Sequence, residues 1–275
     1  MHKYRKPWFL PYTRTSPLPS LSRILTWYDI PMNTLIVANG PFLSRDIITE
    51  AAENRTIIAL DGACGHLRKL GILPNIILGD FDSTSQADMQ YFGITLGFED
   101  LAENLAPYPG KEGCLIVPAK DQNFTDLVKA IRYFDATCKI LANFSITIVC
   151  ATGGRMDLTL SNLRALRSQY NPKRPIILLT ESERIQFIKD DEITLQGNVG
   201  DYCGVMAFPM GSFSSEGLKY NGKDSPLNFA YQESACNQLI SPTAHIRVKG
   251  EALIIGPGQL KSQQRAKPTS ASFTA

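Results

Sequence analysis

Histidine is scarce in this chain, with only His2, His66 and His245 among 275 residues. None of the three has the serine or cysteine context of a catalytic triad, so nucleophilic catalysis of that kind is excluded. The six cysteines, Cys64, Cys114, Cys138, Cys150, Cys203 and Cys236, form no C-x-x-C pair and have no histidine at zinc-site spacing. That pattern excludes a zinc module and is expected of reduced thiols, packed as small apolar residues, in a cytoplasmic protein. No apolar run reaches the roughly 18 residues of a membrane-spanning helix. The G-x-x-x-x-G-K-[ST] spacing of a P-loop is also missing.

Acidic residues are absent from both ends. None precedes Asp29, where Lys3, Arg5, Lys6, Arg14 and Arg23 stand, and none follows Glu251, where Lys261, Arg265 and Lys267 stand. Setting those eight cations aside takes the net charge from +2 for the chain to −6 for its middle. A mildly acidic middle argues against a nucleic-acid surface. The basic start has the composition of an organellar transit peptide. However, Pro7, Pro11, Pro17 and Pro19 oppose an amphipathic helix there, and Met32 stands directly before the first apolar run. Residues 1–31 are therefore expected to be an extension outside the fold, and the polar stretch 256–275 a disordered tail.

What is present begins with apolar runs that alternate with helical stretches. Leu35-Ile36-Val37-Ala38, Ile57-Ile58-Ala59-Leu60, Ile76-Ile77-Leu78-Gly79, Leu115-Ile116-Val117 and Ile146-Thr147-Ile148-Val149 each give way to small, polar or acidic residues. Such runs are the mark of strands buried on both faces of a parallel α/β sheet. Helices are expected at 44–54 behind a Ser44 cap, and from Ala63 to Leu70 with Gly71 as stop. A third follows Thr125, with Leu127, Val128, Ile131 and Phe134 on one face, and a fourth follows Asp157, with Leu160, Leu163 and Leu166 as its inner stripe. Beyond Thr180 short alternating segments take over: Arg184–Ile188, Glu192–Leu195, Tyr202–Phe208, His245–Val248 and Ala252–Ile255. The expected architecture is a parallel-sheet α/β domain over 32–180, followed by a smaller antiparallel β-sandwich over 181–255.

The polar insertions gather at the carboxyl edge of the sheet, where open α/β sheets bind ligands. Asp80 and Asp82 leave the third strand one residue apart. In an extended chain they point to one side and can share a hard cation, though an acidic turn is the alternative reading. Asp61, before Gly62, closes the second strand as either a helix cap or a third acid of the same edge. Asp126 opens a helix behind the dense polar loop Lys120-Asp121-Gln122-Asn123-Phe124-Thr125, where the helix dipole alone favours a carboxylate. Thr152-Gly153-Gly154-Arg155-Met156-Asp157 joins a strand to a helix, as a tight turn or as a phosphate-binding junction with Arg155 beside it.

The ordered set Asp61-Gly62-Ala63, Gly79-Asp80-Phe81-Asp82-Ser83, Asp121-Gln122-Asn123-Phe124-Thr125-Asp126 and Gly153-Gly154-Arg155-Met156-Asp157 resembles the thiamine pyrophosphokinase (thiamine diphosphokinase) family. The likeness continues through Gly200-Asp201-Tyr202-Cys203-Gly204, Gly217-Leu218-Lys219-Tyr220 and Ser234-Ala235-Cys236-Asn237, and spans about residues 33–255. The resemblance implies transfer of the pyrophosphoryl group of ATP to the hydroxyl of thiamine, giving thiamine diphosphate and AMP, with Mg²⁺. It further implies a homodimer with active sites between subunits. Asp61, Asp80, Asp82 and Asp126 would then form the catalytic and metal site. Asn39, Gly40, Asp61, Gly62, Asp121, Gly154, Arg155 and Asp157 would lie round the nucleotide, with Gln122, Thr125, Ser234 and Asn237 holding thiamine. Members often carry a second acid where Asn123 stands. The alternatives are a pyrophosphokinase for another hydroxymethyl heterocycle, such as a pterin, and a catalytically silent thiamine diphosphate-binding module. A phosphohydrolase with Asp80 as nucleophile is disfavoured, because the Asp-x-Asp pair follows the third strand rather than the first.

Overall fold

The structure, a computed structural model, describes residues 33–94, 106–137 and 144–258. The expected extension over 1–31, and all of the expected tail beyond 258, lie outside the described residues.

Six short strands form the parallel part: β1 (Thr34–Val37), β2 (Thr56–Leu60), β3 (Ile76–Gly79), β5 (Leu115–Pro118), β6 (Ile146–Val149) and β7 (Ile176–Leu179). Every residue of β1, β2, β3 and β6 is buried, as strands covered on both faces require. Their order is β7-β6-β1-β2-β3-β5, with the two-residue β4 (Tyr108–Pro109) antiparallel on the outer edge. From β1 the chain goes to β2 on one side and later to β6 on the other. The sheet therefore has a switch point at β1, and the crevice such a point opens lies at the carboxyl ends of the strands.

The helices are α1 (Arg45–Ala52), α2 (Ala63–Lys69), α3 (Gln86–Phe92), α4 (Asp126–Thr137) and α5 (Met156–Ser168). In α4 the expected face is the buried one, with Leu127, Val128, Ile131 and Phe134 all inside. In α5 the expected stripe holds only at its end. Leu166 is buried, but Leu160 is 57% exposed, with Met156 and Leu158 also exposed, because the first turns of α5 do not reach the core. Ser44 stands at the α1 cap position, yet its side chain makes no cap bond; instead Glu181 Oε1 accepts from the Ser44 N–H at 2.5 Å.

The antiparallel part comprises β8 (Glu183–Lys189), β9 (Glu192–Gln196), β10 (Tyr202–Glu216), β11 (Ser225–Asn228), β12 (Ser234–Gln238) and β13 (Thr243–Pro257). It continues the same sheet through the β7–β8 pairing and closes over its own core of Leu195, Val205, Phe213, Ala244, Ile246 and Ile254. The segments expected as two strands, His245–Val248 and Ala252–Ile255, are one long β13. Its first half pairs with β9 and its second with β8. Four of the described cysteines are buried as expected, whereas Cys236 is exposed. A register shift on β12 accounts for it: one residue lies between Cys203 and Val205 on β10, but two lie between Ser234 and Asn237 opposite, and Cys236 takes φ +56° in the bulge.

Candidate active site

The carboxyl edge of the parallel sheet collects the ends of β1 (Asn39, Gly40), β2 (Asp61, Gly62) and β3 (Asp80), the loop from β5 into α4, and the turn from β6 into α5. Within it, carboxylate oxygens of Asp61, Asp80 and Asp126 lie within 4.8 Å of one another. Asp61 is buried and the other two are half-buried. At such a separation any two of them repel by about 1 kcal/mol in water and about 3 kcal/mol at an effective dielectric constant of 20. An all-oxygen set of three converging carboxylates fits a hard divalent cation such as Mg²⁺.

Asp61 is held by hydroxyls from the segment after β3. Ser83 Oγ donates to Oδ2 at 2.7 Å and Thr84 Oγ1 to Oδ1 at 2.5 Å, while Asn39 Nδ2 donates in turn to Ser83 Oγ at 2.7 Å. Gly62 makes this possible, because a Cβ there would stand 2.8 Å from the Ser83 carbonyl oxygen and 3.0 Å from Asn39 Nδ2. Asp61 thus turns its side chain to the segment after β3 rather than capping α2, whose cap residue is Gly62. Thr84 is buried, so Thr84→Val keeps the shape and strips the donor. It is expected to cost about 1–3 kcal/mol of stability, measured by urea denaturation.

Asp80 and Asp82 do not share an extended segment. Between them Phe81 takes φ +66°, with its ring 1% exposed in the α/β core. Burying that ring contributes about 1.5–3 kcal/mol, enough to offset the roughly 1–2 kcal/mol of a left-handed residue. The turn leaves Asp80 with Asp61 and Asp126 and sends Asp82 to the surface, outside the converging three. Asp82 still senses them. Desolvation, then the charge of Asp80, then a hydrogen bond to Asp61, together with the charges of Asp61 and Asp126, push its carboxyl above the usual range.

In the loop after β5, Gln122 Nε2 donates to Asp80 Oδ2 at 2.8 Å. Asp121 is turned inward on the loop itself, accepting from the Asn123 N–H at 2.9 Å and from its Nδ2 at 2.8 Å. Thr125 Oγ1 is buried without a hydrogen-bond partner among the described residues. Burial pushes the Asp126 carboxyl up; a hydrogen bond and the charge of Lys129 pull it back. Across the crevice Gly153 and Gly154, with φ of +81° and +62°, turn the chain into α5. There Arg155 and Asp157 pair through two hydrogen bonds of 3.2 and 2.6 Å, both side chains largely exposed.

Ser234 and Asn237 lie elsewhere, on β12. Ser234 is half-buried; Asn237 is buried, and its amide bonds Tyr220 and Ser234. Sequence reasoning passed over Ser83, Thr84 and Lys129. The signals were present: hydroxyls directly after the Asp-x-Asp pair, and a lysine three residues beyond Asp126 on the same helix face.

Two family models match the chain: "Thiamin pyrophosphokinase, catalytic domain" over residues 49–178 and "Thiamin pyrophosphokinase, vitamin B1 binding domain" over residues 186–254. The first contains the three converging acids and the second contains β12. Among curated proteins, thiamin pyrophosphokinase 1 of Caenorhabditis elegans is 25% identical over 210 residues, covering 72% of this chain and 76% of that one. Among solved structures, the fold is shared with thiamin pyrophosphokinase from Candida albicans, at a TM-score of 0.67 and 18% identity over 82% of this chain and 88% of that one. It is shared equally with thiamine pyrophosphokinase from Bacillus subtilis, at a TM-score of 0.65 and 23% identity over 83% of this chain and all of that one.

Proposed function

The chain belongs to the thiamin pyrophosphokinase family, and from that premise we propose that it transfers the pyrophosphoryl group of ATP to the hydroxyl of thiamine, releasing AMP and thiamine diphosphate. The observation that carries the reading is the convergence of Asp61, Asp80 and Asp126 at the switch-point edge of the parallel sheet. In this proposal those three hold Mg²⁺, with Asp82 beside them. Bound there, the cation would screen the phosphate oxygens of ATP.

The rest of the work falls to the chain's own groups. Ser83 and Thr84 fix the Asp61 carboxylate, and Gln122 fixes that of Asp80, so neither acid has to reorganise when ligand arrives. Arg155, on the exposed turn ahead of α5, is free to exchange Asp157 for a phosphate at little cost, since an exposed pair is worth little. Asn39, Gly40, Gly62, Asp121 and Gly154 line the approach to the phosphates. Phosphoryl chemistry asks for positioning and charge more than for a nucleophile, which agrees with an edge built from carboxylates and amides.

Thiamine would be held by Gln122 and Thr125 from one chain and by the Ser234–Asn237 segment of a second. Six strands separate β3 from β10, the partner of β12, in the sheet order. At about 4.8 Å per strand that is on the order of 30 Å, a span that favours two chains meeting over one substrate. The same end of the β part displays Val199, Tyr202, Tyr220 and Ile240, each more than half exposed. Hydrogen bonds from Gly200 to Leu239, Ile240 to Gly217 and Tyr220 to Asn237 gather them into one area. Such an apolar area suits a homodimer contact. Among the described residues no helix is long and apolar enough to cross a membrane, and a cytoplasmic location is part of the proposal.

The test is the purified chain with ATP, Mg²⁺ and thiamine, the products separated by chromatography. AMP and thiamine diphosphate in equal amounts are expected; ADP alone would overturn the reading. Competition between thiamine and a hydroxymethyl pterin separates the two substrate classes.

A further inference from the structure

Lys129 is a largely buried lysine beside the proposed cation site, an arrangement that electrostatics alone disfavours. Its side chain is 9% exposed, and among the described residues its ammonium makes two contacts, donating to Asp126 Oδ1 at 2.9 Å and to the carbonyl oxygen of Ala119 at 2.8 Å. Ala119 follows β5 directly, and its N–H donates to the carbonyl oxygen of Gly79, the residue before Asp80, at 2.8 Å. A short chain of hydrogen bonds therefore runs from the Asp126 carboxylate through Lys129 and Ala119 to the end of β3. An exposed i,i+3 ion pair would be worth only a few tenths of a kcal/mol and would leave both side chains mobile. Here the stem is packed, and the head is fixed at one end to β5 and at the other to a single oxygen of Asp126. Among the described residues Asp126 Oδ2 carries no such tie.

We propose that Lys129 is a positioning residue for the metal site: it clamps Asp126 Oδ1 against the end of β5 so that the carboxylate faces Asp61 and Asp80 and offers Oδ2 to the cation. This rests on the reading that Asp61, Asp80 and Asp126 hold a divalent cation. Two effects of the lysine oppose each other. As a positive charge beside the site, it repels a cation; as a clamp, it preorganises a ligand. The clamp outweighs the charge.

That opposition gives the experiment its sign. Mn²⁺ binding to the full-length chain, with no nucleotide or thiamine present, is followed by electron paramagnetic resonance for the wild type, Lys129→Met, Lys129→Arg and Asp126→Asn. Loss of a partner that orients a metal ligand typically weakens binding about 10- to 100-fold, and that is expected for Lys129→Met. Lys129→Arg, which keeps a charged hydrogen-bond donor on a long stem, is expected to recover most of the affinity. Mn²⁺ binding by Lys129→Met as tight as or tighter than wild type would show the lysine acting only as a charge or as packing, and would overturn the proposal. Asp126→Asn keeps the two failures apart. If Asp126→Asn weakens binding and Lys129→Met does not, the clamp is wrong and the metal site stands. If the wild type itself binds no Mn²⁺, or Asp126→Asn binds as well as wild type, the metal site is wrong and the clamp falls with it. Should Lys129→Met fail to fold, the Lys129→Arg affinity decides: a value near wild type supports the clamp, and one near that of Asp126→Asn overturns it.

Discussion

Asp80→Asn is expected to lower kcat/KM for thiamine diphosphate formation by on the order of 10³-fold, because several kcal/mol of transition-state stabilisation would depend on the metal ligand proposed at Asp80. The melting temperature of the protein without metal or nucleotide is expected to stay level or rise. Asp80 lies within 4.8 Å of two other carboxylates, and taking one charge out of a repelling group relieves strain that the folded state carries. The substitution is a clean one. The asparagine oxygen can still accept from Gln122 Nε2, so the loop ahead of α4 keeps its anchor. Activity by product chromatography and stability by thermal melting are measured on the same preparation. Lost activity together with a lowered melting point would recast Asp80 as a structural residue. Asp82→Asn is the companion variant. Its carboxylate is exposed and outside the converging three, and a smaller loss is expected; an equal loss would make Asp82 a ligand as well.

The acids of this site were legible because they obey two independent rules at once. Asp61 and Asp80 end runs in which every residue is apolar or small, and such runs become buried parallel strands whose carboxyl ends line the crevice. Asp126 heads a helix whose apolar positions could be read from spacing alone. What could not be read was the path between the residues. Nothing in Asp80-Phe81-Asp82 announces a left-handed phenylalanine. The turn exists because the Phe81 ring has a place in the core, a tertiary effect that local alternation does not encode. The same holds for α3, a seven-residue helix with one buried side chain, Phe92, and so no periodic stripe to find. Its ends were written in the sequence, since Ser85 accepts from the Asp88 N–H at 3.2 Å and Gly93 takes φ +72°.

In the β part the departures from expectation lie where strands are irregular, the long β13 and the bulged β12. The expected gap between His245–Val248 and Ala252–Ile255 contains Gly250, yet β13 runs through it while its neighbour changes from β9 to β8. On β12 the bulge reverses the faces, sending Cys236 out and Asn237 in. Period-two reasoning fails at such a residue by construction.

The inward turn of Asn237 makes it the second site of a large expected effect, on stability rather than chemistry. Its side chain is 1% exposed and fully engaged. Oδ1 accepts from the N–H groups of Tyr220 and Gln238, each at 3.0 Å, and Nδ2 donates to the Tyr220 carbonyl oxygen at 2.8 Å and to Ser234 Oγ at 3.1 Å. An amide has two donors and two acceptor lone pairs, so all four are used within the chain. Asn237→Ala strips both bonds from the Tyr220 backbone at once, and leaving buried polar groups unpaired costs about 1–3 kcal/mol each. A loss of about 2–4 kcal/mol is therefore expected, which at a urea slope of about 2–3 kcal/mol/M lowers the unfolding midpoint by roughly 1–2 M. Ser234→Ala, which loses one bond from a half-buried hydroxyl, is expected to cost about 1 kcal/mol or less. The pair of variants separates framework from ligand contact. If Asn237 shapes the thiamine-binding segment by pinning Tyr220, stability falls before substrate affinity can be read. If stability holds and only KM for thiamine rises, the amide must leave Tyr220 to meet the substrate, and its four bonds in the free protein are a resting state.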